Sequence, residues 1–336
     1  MGATIATFFN FGGTGPPLNI RAMQSVRRAV IDVGTNSIKL LVAEVAAHDV
    51  RPVWEGSIQT RLGQGFYETH RLQPEPIAQT ADAVAVFAET ARRHEAATIR
   101  VIATSAARDA VNPQDLVKAV AAAAGLKVEI ISGEQEAAWA FQGVTTDPKL
   151  ARQPLLLLDV GGGSSEFILG HGEQKHFAES FPLGTVRLLA KTPCGDPPLV
   201  RELAACREWL EHFLNDKVRP RLEPALRRES KLGRIKLVGT GGTTSLLARM
   251  DAKLTAFNRE QIEGTRLSLE RVRWHVNHLW SLPLAERKQI VGLPSKRADV
   301  ILPGVAIYEA VMEQFGFPEL RVSTRGLRFA AVMEGI

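Results

Sequence analysis

An acid, a glycine turn and a serine recur at one spacing in two places. Asp159-Val160-Gly161-Gly162-Gly163-Ser164 follows a run of four leucines at 155–158, and Asp32-Val33-Gly34-Thr35-Asn36-Ser37 follows the apolar residues 29–31. A phosphate needs several N–H donors aimed at one point, and a turn without Cβ atoms lets the anion approach the backbone closely. Glu166 lies seven residues after Asp159, across the turn, so both carboxylates can face the mouth of the second loop. Oxygen-only ligands of this sort suit Mg²⁺, which shares phosphate oxygens and keeps several waters. A lone GGG would as readily serve turn geometry alone. A second copy about 130 residues away favours a duplicated phosphate loop instead. A third glycine stretch, Val238-Gly239-Thr240-Gly241-Gly242-Thr243-Thr244, follows a strand expected over 235–238 and precedes a helix.

Cleaving phosphate also needs a base for the attacking water. Glu134 and Glu136 open a helix directly after a strand expected over 128–131, where sites of open α/β sheets lie. A carboxylate there can take a proton from water; it can equally complement the helix dipole. Arg108 follows another strand, 99–103, and could clamp phosphate through two parallel N–H bonds or form a surface ion pair. The eight histidines are scattered and show no zinc-ligand spacing.

These residues require elements to hold them. Hairpin strands flank each turn, another strand covers 50–60, and helical periodicity runs over 74–95. A helix over 113–124 ends at Gly125, a suitable C-terminal cap, and Ser132 is placed to N-cap the helix bearing Glu136. Helices are expected over 198–218, 269–280 and 297–315, then a strand over 320–323 and a helix over 327–334. Alternating strands and helices indicate α/β layering. The chain divides at 146–154 into domains over 26–145 and 146–323, and the Gly/Pro-punctuated leader 1–25 is expected to be disordered.

Composition narrows the classes. The 336 residues are 45% hydrophobic and 23% charged, which is globular composition with room for two full cores. A net charge of +5 is compatible with a polyanionic ligand without requiring one. A basic run over 217–236 carries eight Lys or Arg against two Glu, and reads as a solvated face or a landing strip for a polyanion. Two cysteines exclude a disulfide framework and a cysteine metal cluster, and a reducing cytoplasm is the simplest location. No apolar run reaches the ~20 residues of a membrane span, the leader lacks the basic start of a signal peptide, and no nucleic-acid motif is present.

The ordered set AVIDVGTNSIKLLVAEV, ATSAARDA, ISGEQEA, LLLLDVGGGSSEFILG, SFPLGTVRL, LVGTGGTTSLLARM, LPSKRADVILPG and VSTRGLR resembles the exopolyphosphatase and guanosine pentaphosphate phosphatase family. The resemblance covers about residues 27 to 335 and places the chain within the actin, sugar-kinase and heat-shock ATPase superfold. It implies an α/β fold of two ribonuclease-H-like domains with the active site in the interdomain cleft. It selects Glu136, not Glu134, as general base. It makes Arg108 a phosphate contact and Asp159 and Glu166 the Mg²⁺ carboxylates. It makes Gly34, Thr35, Asn36, Ser37, Gly161, Gly162, Gly163 and Ser164 the phosphate cradle. Gly239, Gly241, Gly242 and Thr243 fall where the superfold binds a nucleoside, or else a distal phosphate. The closing helix, 324–336, is expected to return to the first domain, and a homodimer is implied.

The sequence departs from the family's SGEEEAR pattern at Gln135 and Ala138, and has Phe329-Ala330 where Glu-Gly is usual. It ends at Ile336 without the helical extension of longer members, so lower processivity on long polymers is expected. The expected activity is Mg²⁺-dependent release of orthophosphate from the end of inorganic polyphosphate. The alternative is 5′-phosphate removal from guanosine pentaphosphate. Phosphoryl transfer, or non-catalytic sensing of polyphosphate or alarmone, ranks behind both.

Overall fold

The structure, a computed structural model, describes residues 25–46, 49–231 and 233–334. The expected leader, apart from Ser25, lies outside them, as do Gly335 and Ile336 of the closing segment. One sheet contains β1 (Val26–Val33), β2 (Ser37–Ala46), β3 (Asp49–Gln59), β4 (Thr98–Ala103) and β5 (Val128–Ile130), in the order β3-β2-β1-β4-β5. The other contains β6 (Leu155–Val160), β7 (Ser165–His171), β8 (Gln174–Phe181), β9 (Lys236–Thr240), β10 (Arg266–Ser268) and β11 (Glu319–Val322), in the order β10-β11-β9-β6-β7-β8. In each sheet three antiparallel strands are extended by two parallel ones, β4 and β5 beside β1, β9 and β11 beside β6, and β10 adds an antiparallel edge to the second. The repeat read from two turns is thus a repeat of whole ribonuclease-H-like sheets.

Both faces of each sheet are covered, which is why the central strands read as unbroken apolar runs. Leu156 and Leu158 of β6 point into a core built with helices Val200–Phe213, Gly241–Asp251, Leu269–Trp280 and Ile301–Phe315. Leu155 and Leu157 point the other way, onto helices Gly133–Thr145 and Leu327–Ala331. That second core also takes in Val30, Leu41, Ala43 and Ile102 of the first sheet, so a helical layer is shared between the two sheets. Helices Pro74–Arg93 and Pro113–Ala124 cover the first sheet's outer face.

Within the shared layer the backbones touch: a Cβ on Gly143 would fall on the Gly326 carbonyl. Trp139 Nε1 donates to Glu334 at 2.7 Å, tying the chain's end to helix 133–145. Phe329 is buried in this layer, with the guanidinium groups of Arg259 and Arg325 4.8 and 5.4 Å from its ring.

Several elements differ from the sequence expectation. The helix expected over 198–218 passes through a π-helical turn, Leu214–Val218, into a further helix, Arg219–Glu229, because Pro220 is accepted in its first turn. Most of the basic run is therefore helical surface, with Arg221 paired to Glu179 and Arg227 to Glu223. The third glycine stretch is not an open loop. β9 runs on to Thr240 and turns at Gly241 straight into helix 241–251. The closing helix stops at Ala331 instead of 334. Strand β8 and helix Thr185–Lys191 had no counterpart in the sequence reading. No described helix is long and apolar enough to cross a membrane.

Candidate active site

Both glycine turns close in the same way, Gly34 N–H donating to Ser37 O and Gly161 N–H to Ser164 O, at 3.2 and 2.9 Å. The carbonyls between are tied down on the far side. Thr35 O accepts from Gly63 N–H, and Asn36 O from Thr60 and Arg61 N–H. Gly161 O accepts from Thr185 N–H, Gly162 O from Val186 and Arg187 N–H, and Gly163 O from the Arg187 Nε–H. A peptide whose carbonyl is held on one side presents its N–H on the other. Among the described residues, no protein group accepts from the N–H of Thr35, Asn36, Gly162, Gly163 or Ser164. Unpaired amides in largely buried loops are uncommon, and these belong to two loops in contact that line one cavity: a Cβ on Gly162 would meet Thr35 at 2.8 Å. The result is an anion cradle of preorganised dipoles.

The loops wall a cavity of about 70 Å³. Gly34, Thr35, Asn36, Ser37, Gly161, Gly162, Gly163, Ser164, Asp159, Glu166, Glu136 and Gly242 all line it. Gly241 lines an adjoining cavity of about 260 Å³ with Gly242, Arg249 and Phe257. Gly239 and Thr243 line neither. Gly239 lies inside β9, where a Cβ would strike Leu320 and Tyr308, and Thr243 packs on Gly304. Arg108 does not face the cavity as a phosphate clamp. Its Nη1 donates to Glu136 Oε2 at 2.8 Å and lies 3.3 Å from the Ile131 carbonyl.

Helix geometry separates the two candidate bases. Ser132 caps helix 133–145, accepting from Gln135 N–H at 3.1 Å, and the turn that follows sends Glu134 to solvent and Glu136 inward. Burial pushes the Glu136 carboxyl up to about 7, with Arg108 pulling against it and Asp159 and Asp32 adding to the rise. Oε1 has no described protein partner and is free to meet water.

Strand register places the other charges. Asp159 stands directly opposite Glu166 across β6 and β7, and Asp32 directly opposite Lys39 across β1 and β2. Residues so paired share a face, here the cavity face. Burial raises Asp159 to about 6, against the pull of Lys39. Glu166 is raised well above the usual carboxylate range by burial first, then by Glu136 and Asp159. Lys39 is lowered by burial, with Asp32 opposing. Four carboxyl groups around one small space, against Lys39 and Arg297, are an oxygen donor set short of positive charge. The set fits a hard divalent cation such as Mg²⁺, which Asp159 and Glu166 could hold.

Sequence reading singled out neither Lys39 nor Arg297 for the site. Lys39 was detectable, since it occupies in the first hairpin the position of Glu166 in the second. Arg297 comes from a 3₁₀ turn, Ser295–Arg297, far along the chain. Its Nη1 lies 3.3 Å from Ser37 Oγ, its Nε has no described partner, and it lines both cavities. Burial pulls its pKa down, Asp299 opposing.

The chain matches the Ppx/GppA phosphatase family over residues 41–334. It is 34% identical over 315 residues to a Mycobacterium tuberculosis protein named Exopolyphosphatase 2, covering 90% of this chain and 96% of that one. It is 27% identical to a Vibrio cholerae guanosine-5′-triphosphate,3′-diphosphate pyrophosphatase, covering 94% of this chain and 60% of the other. The solved structure of the Aquifex aeolicus PPX-GPPA enzyme superimposes with a TM-score of 0.73 at 28% identity, over 92% of this chain and 99% of that one. Two ribonuclease-H-like halves, a doubled amide cradle beside a buried glutamate, and sequence similarity along nearly the whole length agree, and the chain belongs to the Ppx/GppA phosphatase family.

Proposed function

We propose that the protein is a cytoplasmic, Mg²⁺-dependent exopolyphosphatase. It hydrolyses phosphoanhydride bonds, as its family does; the substrate reading is the terminal bond of inorganic polyphosphate. The observation that carries it is that the five residues with free amides and Glu136 line one small cavity.

The cradle amides and Arg297 hold the oxygens of the terminal phosphate, so positioning and charge stabilisation are built before reaction. Arg108 occupies Glu136 Oε2 and leaves Oε1 to accept a proton from water. The water oxygen bonds to phosphorus as the bridging P–O bond breaks, giving orthophosphate and a polyphosphate shorter by one unit. Mg²⁺ held by Asp159 and Glu166 would neutralise phosphate charge and release the strain among the carboxylates. Lys39 keeps Asp32 and Asp159 from adding to the anion's repulsion.

The larger adjoining cavity favours a second substrate reading. Gly241, Gly242, Arg249 and Phe257 offer a backbone approach, a cation and an aromatic face, which suit a nucleoside such as that of guanosine pentaphosphate. Phosphate release with Mg²⁺ from short polyphosphate, long polyphosphate and guanosine pentaphosphate, measured beside Glu136→Ala, decides. Release from polyphosphate should fall by ~10²–10⁴-fold in the variant, the usual contribution of a general base. Faster release from the nucleotide would transfer the assignment to alarmone turnover, and an unimpaired variant would remove Glu136 from the mechanism.

A further inference from the structure

Away from the cleft, the fold assembles three residues whose spacing in the sequence carries no metal signature. His171 ends β7, His176 lies on β8 just past the hairpin turn, and Glu229 ends helix 219–229, which crosses behind the hairpin. The imidazole rings stack, with centroids 5.2 Å apart and planes at 23°. One donor atom from each of the three residues lies within 4.8 Å of the others.

Glu229 is only 2% exposed, yet its Oε2 has no described hydrogen-bond partner. His171 Nδ1 lies 3.8 Å from Oε2, and His176 Nδ1 lies 3.7 Å from Oε1. Those separations are too long for hydrogen bonds. They are close to the ~3.4 Å between donors of a tetrahedral ion whose metal–ligand bonds are ~2.0–2.1 Å. His171 Nδ1 and His176 Nε2 are likewise buried without partners. A buried carboxyl oxygen left without a hydrogen bond is costly, and one ion taking one nitrogen from each ring would satisfy it together with the Nδ1 of His171.

We propose that His171, His176 and Glu229 form a transition-metal site of the zinc class, which ties the β7–β8 hairpin to the end of helix 219–229. Two imidazoles and one carboxylate select a borderline ion over Mg²⁺ or Ca²⁺, which prefer oxygen. His171 keeps 40% of its side chain exposed, so the ion has an entry path and room for water as fourth ligand. The site lies at the opposite end of β7 from Glu166, five residues or ~17 Å along the strand. It stands apart from the carboxylates of the cleft and does not depend on the hydrolytic reading.

The test uses untagged full-length protein, stripped with chelator and titrated with zinc while saturating Mg²⁺ occupies the cleft oxygens. The expected result is one zinc per chain and a rise in Tm. His171→Ala and His176→Ala should each weaken zinc binding at least tenfold and abolish the Tm rise, while keeping the metal-free Tm. These partly exposed histidines, not buried Glu229, are the deciding variants, since their loss leaves the core intact. Cobalt in place of zinc should give visible bands of a nitrogen–oxygen site without thiolate charge transfer. Absence of zinc binding under Mg²⁺, equal affinity in the histidine variants, or a thiolate band would each overturn the proposal.

Discussion

Burial raises Glu136 to about 7 and Arg108 restrains it, so the carboxyl sits where a base for water works best near neutral pH. As the proposed base, Glu136 must be ionised, so kcat should climb with pH and level off above about 7. Arg108→Ala removes the restraint and should shift that climb to higher pH with little change in KM. A raised KM with an unmoved profile would mean that Arg108 touches phosphate after all. Lys39 plays the corresponding part for Asp159. Lys39→Met should raise the Asp159 carboxyl further and weaken phosphate binding, read as a KM increase of about tenfold if one charge-assisted contact of ~1.5 kcal/mol is lost.

At the scale of elements, the cradle depends on what holds it from behind. Helix 185–191 takes the carbonyls of Gly161 and Gly162 on its first N–H groups, and so aims the following amides at the cavity. The shared helical layer depends on the Gly143–Gly326 contact. Gly143→Ala puts a methyl group on a backbone carbonyl and should lower stability by about 1–3 kcal/mol, the cost of overpacking, read as a lower denaturant midpoint. Much of this frame was legible in the sequence. The twin turns, the helix from Pro113 to its cap at Gly125, and the Ser132 cap each follow from local rules that tertiary structure left alone. Helix 185–191 was not legible, because it is only seven residues long and its N-cap, Gly184, has no side chain to cap it. Arg297 was missed because its role depends on the packing of a short turn against a loop 260 residues earlier. The metal-like cluster was hidden for the same reason: Glu229 joins the two histidines only when its helix crosses the hairpin.

At the scale of the molecule, the four buried carboxyl groups of the site, Asp32, Glu136, Asp159 and Glu166, have raised pKa values and make the fold sensitive to pH. A carboxyl whose pKa is higher folded than unfolded holds its proton more tightly in the folded chain, so its contribution is complete below the unfolded value of ~4 and fades as pH rises toward the folded one. Glu136 at about 7 and Asp159 at about 6 set that window. Metal-free protein should therefore lose stability between about pH 4 and 7 on their account. Mg²⁺ should raise Tm more at pH 8 than at pH 5, where protons already neutralise the site; equal shifts at both would separate the ion from these carboxyls. The two halves, alike in backbone, also differ in charge at one matched position of their hairpins that faces the cavity: Lys39 stands opposite Asp32, and Glu166 opposite Asp159. With identical hairpins a linear anion would meet the same surroundings from either side. That exchange of charge gives the cavity two unlike walls, so an anion held there meets a cation from one half of the molecule and a carboxyl group from the other.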